Sequence, residues 1–345
     1  MREKLIGDRR FYRRLFAIAV PMMIQMAITN FASMLDNVMV GQMGTEQMTG
    51  VAIANQLVFV YNLFIFGAVS GPGIYTAQFF GQRNEEGIRY TMRFKLLLCG
   101  ALTLIGLILM GSMGEQLIQL YLHTENGTTN AALTLQHGLD YLHIVMISFI
   151  PFAVVQAYAG TLKETGETML PMKAGILSVV VNFCINYVLI FGKFGMPVLG
   201  ARGAAIGTVA ARIVEMVIVV GWVHTKKDRN PYVKGLYRSM KIPAGLAKEI
   251  AIIGVPAGIQ GMLFSISNVM LQSSINSFGT SVMDGNGAAA SLEGFVYATM
   301  NSVAQTAGSF VSANYGAKKW KNIRNTAFYA AALVMLFWGI SGGIV

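Results

Sequence analysis

Four ionisable side chains lie inside long apolar runs of this chain, and they are the groups best placed to do chemistry: Asp36, Arg212, Glu215 and Glu293. A charge in hydrocarbon is costly unless it is paired, hydrated or used. Arg212 and Glu215 are three positions apart, which puts both heads on one face of a helix, where they neutralise each other as a structural ion pair. Asp36 has no basic residue three or four positions away, and its neighbours Asn30, Ser33 and Asn37 are polar and uncharged. A carboxylate so placed is set up to take and release a proton, or to hold Na⁺. Glu293, within Ala289-Ala290-Ser291-Leu292-Glu293-Gly294-Phe295, is a second unpaired acid and a second candidate of the same kind.

The elements that must position these groups are membrane spans. The 345 residues are 54% hydrophobic and 12% charged, against about 25% charged in an average soluble domain. Apolar stretches of roughly 20 residues, enough to cross about 30 Å of hydrocarbon as a helix, fall near 15–40, 52–78, 94–113, 133–158, 170–191, 203–223, 250–277, 287–314 and 326–345. Nine spans follow. Basic residues ahead of the first span do not make a signal peptide, because the run behind them is long and carries Pro21, Gln25, Asn30 and Asp36. Ser70-Gly71-Pro72-Gly73 is expected to break the second span locally. Gly203-x-x-x-Gly207-x-x-x-Ala211 is a small-residue stripe for close helix packing.

The net charge of +10 orients the spans; it does not mark a nucleic-acid partner. Of 26 Lys and Arg residues, 23 fall ahead of the first span or in alternate connections, including Arg93 and Lys95 after the second, Lys163 after the fourth and Lys234, Arg238 and Lys241 after the sixth. That is the positive-inside pattern, which places the N-terminus in the cytoplasm of a multi-pass protein of the cell membrane. No phosphate-binding loop, dinucleotide fingerprint or nucleophile elbow is present, so an enzyme has no support. Cys99 and Cys184 are far apart, and His123, His137, His143 and His224 lack ligand spacing, so neither a disulfide nor a metal site is expected. No cofactor is implied beyond a coupling ion, H⁺ or Na⁺.

Residues 21–89 and 256–324 align at a constant offset of 235 with 13 identities over 69 positions, among them Pro21/Pro256, Gly44/Gly279, Gly50/Gly285 and Gly81/Gly316. An internal repeat in an apolar chain points to a transporter built from duplicated halves. The copies start an even number of spans apart, so they run the same way across the membrane.

The residues also resemble a known family, the multidrug and toxic compound extrusion (MATE) transporters. The resemblance rests on Asp36-x-x-x-Val40-Gly41-x-x-Gly44, Gly166-Glu167-Thr168-x-x-Pro171, Asn182 with Ile190-Phe191-Gly192, Gly200-x-x-Gly203-Ala204-Ala205-x-Gly207-Thr208, Gly254-Val255-Pro256 and Gly316-Ala317. It implies two six-helix lobes around a cavity that opens alternately to either face, and cation-driven efflux of small cationic or amphipathic compounds. It implies an ion or proton site at Asp36 with Asn182 and Thr208. Where proton-coupled members carry a second acid this chain has Asn186, and where some sodium-coupled members have a seventh-helix glutamate it has Phe264, so the coupling ion stays open.

The expected fold is an all-α polytopic membrane protein of two pseudo-symmetric bundles, monomeric among membrane lipids. Residues 1–224 form a six-helix lobe, 225–248 a basic cytoplasmic linker and 249–345 three helices of an incomplete second lobe. Family members have twelve helices, so the sequence is expected to be a fragment of a longer protein. A lipid-linked oligosaccharide flippase and a non-transporting remnant are the alternative readings; the flippase calls for several basic side chains on the cavity.

Overall fold

The computed structural model describes residues 9–122, 130–276 and 280–344, without the side chains of 280–295 and of some others, Asn37 among them. His123 lies outside the described residues. Ten α-helices make up most of the described chain: α1 (Arg9–Gly41), α2 (Thr45–Gln82), α3 (Glu85–Leu122), α4 (Ala131–Val145), α5 (Phe149–Glu164), α6 (Met169–Phe191), α7 (Ala201–Thr225), α8 (Ala244–Asn276), α9 (Thr280–Gly316) and α10 (Trp320–Ile344). Among the described residues, six helical stretches are long and apolar enough to cross a membrane, with α4 and α5 counted together.

The fourth span is one apolar stretch, Ala131–Glu164, in which α4 passes into α5 through a 3₁₀ turn at Met146–Ser148. Pro151 has no N–H for the carbonyl of Ile147, which removes one α-helical hydrogen bond at this turn. One expectation needs correction: α2 runs through Pro72 without a break. Neighbours press on it from both sides. A Cβ on Gly71 would stand 2.5 Å from Gly254 Cα of α8, and one on Gly73 would collide with the Glu164 carboxylate of α5. Those glycines admit neighbouring helices rather than end their own. Pro21 and Pro256 likewise lie inside α1 and α8.

The repeat is visible as geometry. α2 ends where Arg83 takes φ 58°, and α9 ends where its counterpart Lys318 takes φ 56°. The turns share their hydrogen bonds. Arg83 N donates to Phe80 O and Asn84 N to Phe79 O; Lys318 N donates to Tyr315 O and Lys319 N to Asn314 O, each position shifted by 235. α2 and α9 pack on each other across the pseudo-two-fold axis. A Cβ on Gly81 would strike Ala313 O, and one on Gly316 would strike Gln78 O. Both glycine and target are repeat counterparts. The same symmetry relates α2 on α8, where Gly71 meets Gly254, to α9 on α1, where Thr306 Oγ1 lies 3.3 Å from Met22 Sδ.

Two apolar cores hold the first six spans, one among α1, α2, α3, α4, α5, α6 and α7, the other among α3, α5, α6, α7 and the 231–236 segment. The linker is fastened by Arg93 of α3, whose Nε donates to Leu236 O at 2.9 Å and whose terminal nitrogens donate to Gly235 O at 2.8 Å and Lys241 O at 3.3 Å. Arg93 is therefore buried, and so is Lys95, which loop placement did not anticipate. Lys95 is 0% exposed and pairs with Glu164 of α5, with Thr161 Oγ1 at 3.3 Å.

Candidate functional site

Asp36 stands on α1 opposite α6, and the sequence of α6 sets what it meets. Asn182 and Asn186 are four apart, hence on one helix face, and both are buried. Asn186 Nδ2 donates to Asp36 Oδ1 at 2.8 Å. With the Asn182 amide turned so that its nitrogen faces the carboxylate, it donates to Oδ1 at 2.8 Å and Oδ2 at 3.3 Å, and its oxygen accepts from Thr208 N at 3.3 Å. Two neutral amides thus hold one carboxylate, with no cation in the set. That arrangement orients the carboxylate by hydrogen bonds and places no opposite charge beside it among these partners.

α7 makes room for the arrangement. A Cβ on Gly207 would run into Asn186 Oδ1, and one on Gly203 would lie 2.8 Å from Leu189 C of the α6 backbone. Ser178 Oγ of α6 donates to Ala211 O at 2.9 Å. Every member of the small-residue stripe therefore faces α6, and Gly207 fixes the depth at which Asn186 sits. Asn186 Oδ1 is buried and has no hydrogen-bond partner among the described residues.

Asp36 and Thr208 open on a cavity of about 390 Å³. Its polar wall carries Asn55, Gln56 and Asn62 of α2 and Tyr141 of α4; its apolar wall carries Val40, Val51, Phe149 and Phe152. Tyr141 Oη donates to Asn55 Oδ1 at 3.0 Å. The 3₁₀ turn between α4 and α5 falls at this wall, with Val145, Ser148 and Phe149 all lining it. A chamber of this size, mixed in polarity and rimmed by aromatic rings, suits a small organic molecule.

Arg212 also lines the cavity. Its guanidinium lies 5.0 Å from the Phe152 ring centroid, and its Nη1 is 3.0 Å from Glu215 Oε2. The structure thus brings together Asp36, Asn182, Asn186 and Thr208 and sets Arg212 with Glu215 on the same chamber. Glu293 belongs to α9, and its side chain lies outside the described residues. Sequence reasoning missed Asn55 and Asn62, although their seven-residue spacing on one helix face was a signal. It also missed the Lys95–Glu164 pair.

The MatE family model matches residues 21–188 and 256–343. A probable multidrug resistance protein NorM of Thermotoga maritima is 26% identical over 260 residues, covering 75% of this chain and 53% of that protein. A probable multidrug resistance protein YoeA of Bacillus subtilis is 25% identical over 319 residues, covering 91% of this chain and 66% of its own length. The chain thus spans between about half and two thirds of these relatives. Among solved structures, an outward-facing multidrug resistance MATE family transporter of the MOP superfamily superposes with a TM-score of 0.80 at 19% identity, covering 97% of this chain and 72% of that one. A MATE crystal structure in the bent conformation gives 0.81 at the same identity and coverage. At such identities the likeness shows the fold: an all-α multi-pass membrane protein.

Proposed function

The chain belongs to the MatE family, and from that premise we propose that it serves secondary efflux, exchanging a small cationic or amphipathic compound for H⁺ or Na⁺ by alternating access. The observation that carries this reading is Asp36, a carboxylate held by two neutral amides on the wall of a cavity of mixed polarity. Asn182 and Asn186 orient the carboxylate and leave its charge unmatched, so a proton, a metal cation or a cationic substrate competes for it. Phe149 and Phe152 offer apolar contact to a substrate, while Asn55, Asn62 and Tyr141 offer hydrogen bonds. Binding of the ion would weaken the hold on a cation in the chamber, which is the exchange an antiporter needs. The lopsided distribution of Lys and Arg supports a cell-membrane protein with a cytoplasmic N-terminus. A flippase for lipid-linked oligosaccharides called for several basic side chains on the cavity; among its described lining residues Arg212 is the one cation, and it is paired with Glu215.

The test is efflux of a fluorescent organic cation from a host stripped of its own pumps. Cells expressing the protein should retain less dye than control cells, and cells expressing Asp36→Asn at equal membrane level should retain as much as the control. Equal efflux by the Asn variant would remove Asp36 from the mechanism.

A further inference from the structure

A second cleft, of about 700 Å³, lies away from the Asp36 cavity, between the start of α3 and the linker that follows α7. Arg89 and Arg93 enter it from α3, and Lys234, Arg238 and Lys241 from the linker; Glu86 is its one carboxylate among the described lining residues. The cleft is built rather than incidental. Arg93, 6% exposed, ties down Gly235, Leu236 and Lys241 through their carbonyls, and Arg89 Nε donates to Tyr232 O at 3.2 Å. The other N–H groups of Arg89 and the exposed heads of Arg238 and Lys241 are left as donors. Lys234 is also exposed and lies 3.1 Å from Asp228 Oδ1, an ion pair open to solvent. Glu86 is turned by Tyr90, whose hydroxyl donates to it at 2.5 Å.

The helix face below the cleft is the second observation. Leu97, Leu104 and Ile108 continue the face of α3 that carries Arg93, at the three-and-four spacing of one helix side, and are 45%, 60% and 59% exposed. Leu97 to Ile108 rises about 16 Å at 1.5 Å per residue, close to one leaflet of a hydrocarbon core roughly 30 Å thick. A cationic cleft at the head of an apolar stripe one leaflet long matches a phospholipid in both parts. Basic pockets on the cytoplasmic side of a membrane protein attract anionic head groups, and a soluble anion would have no use for the stripe.

We propose that this cleft holds the phosphate-bearing head group of an anionic membrane lipid, with its acyl chains lying along the exposed face of α3. The site rests on the membrane fold and not on the efflux reading. The purified chain in detergent, titrated with phosphatidylglycerol, phosphatidylcholine and glycerol 3-phosphate and read by native mass spectrometry, tests it. Phosphatidylglycerol should bind at least about ten-fold tighter than either of the others, an effect of a few charge contacts. Arg238→Glu/Lys241→Glu should lose that preference, whereas Lys319→Glu/Lys321→Glu, the same charge change on exposed lysines elsewhere, should keep it. All four side chains are exposed, and an unchanged melting temperature confirms that each variant is folded. Equal binding of the two lipids, or equal loss in both double variants, overturns the site. Glycerol 3-phosphate binding as tightly as phosphatidylglycerol overturns the lipid and leaves a soluble phosphate ligand.

Discussion

Gly207→Ala introduces a single methyl group, yet it should disable the Asp36 site. The new methyl would collide with Asn186 Oδ1 and stand 3.0 Å from Asn186 Cγ and 3.4 Å from Asn182 O. Asn186 is 0% exposed, so its amide has no free space in which to retreat and must turn away from Asp36. Overpacking of this kind costs about 1–3 kcal/mol, and a hydrogen bond between membrane helices contributes about 1–2 kcal/mol. Against this, removing a helical glycine returns about 0.4–1 kcal/mol. The net loss is about 1–5 kcal/mol by these figures, carried by the site rather than by the fold at large. Gly221, on the same helix, has nothing within 4 Å of the place a Cβ would take, and it supplies the control: Gly221→Ala should be neutral or stabilising. The assay is thermal unfolding in detergent beside dye efflux in cells. Asn186→Ala in the Gly207→Ala background should recover only the part of the melting temperature lost to the clash, and should not restore efflux, because the hydrogen bond to Asp36 is gone too. Wild-type stability and efflux in Gly207→Ala alone would show that Gly207 does not set the position of Asn186.

Three further outcomes follow from the packing. Lys95→Met removes the ion-pair partner of the buried Glu164 and should cost about 3–5 kcal/mol, while Lys95→Met/Glu164→Leu should recover most of that; thermal unfolding of the two variants decides it. Arg93→Ala removes three donors to linker carbonyls and should raise amide hydrogen exchange at residues 235–241 at least about ten-fold, the loss of one or two net hydrogen bonds. Gly81→Ala and Gly316→Ala make equivalent clashes across the pseudo-two-fold axis, so their melting temperatures should fall by similar amounts; a drop in only one would deny the symmetric contact.

The repeat was legible because its two copies keep small residues where helices touch: Gly81 and Gly316 are needed by the same contact seen from each side. Asp36 was legible because a lone carboxylate in an apolar span is costly and therefore conspicuous. Asn182 and Asn186 were not marked by cost, since a neutral amide in a span is commonplace, and they came to notice through resemblance. Lys95 was misread for a physical reason. α3 begins ten residues before it, at Glu85, so a cation at the edge of the apolar run lies well inside a helix and reaches Glu164 on a neighbour far away in sequence. The 3₁₀ turn between α4 and α5 was hidden because Pro151 near a helix start is tolerated as readily as one that ends a helix. The unbroken α2 shows the reverse, a proline and two glycines overruled by packing on Gly254 and Glu164.

In the proposed function the Asp36 carboxylate couples ion entry to substrate exit. Proteoliposomes loaded with a fluorescent organic cation and given an imposed proton or sodium gradient measure that coupling directly. Gradient-driven dye movement is expected of the wild-type protein with one of the two ions, and none of Asp36→Asn with either. Transport by Asp36→Asn at the wild-type rate, with the same dependence on the gradient, would contradict that coupling.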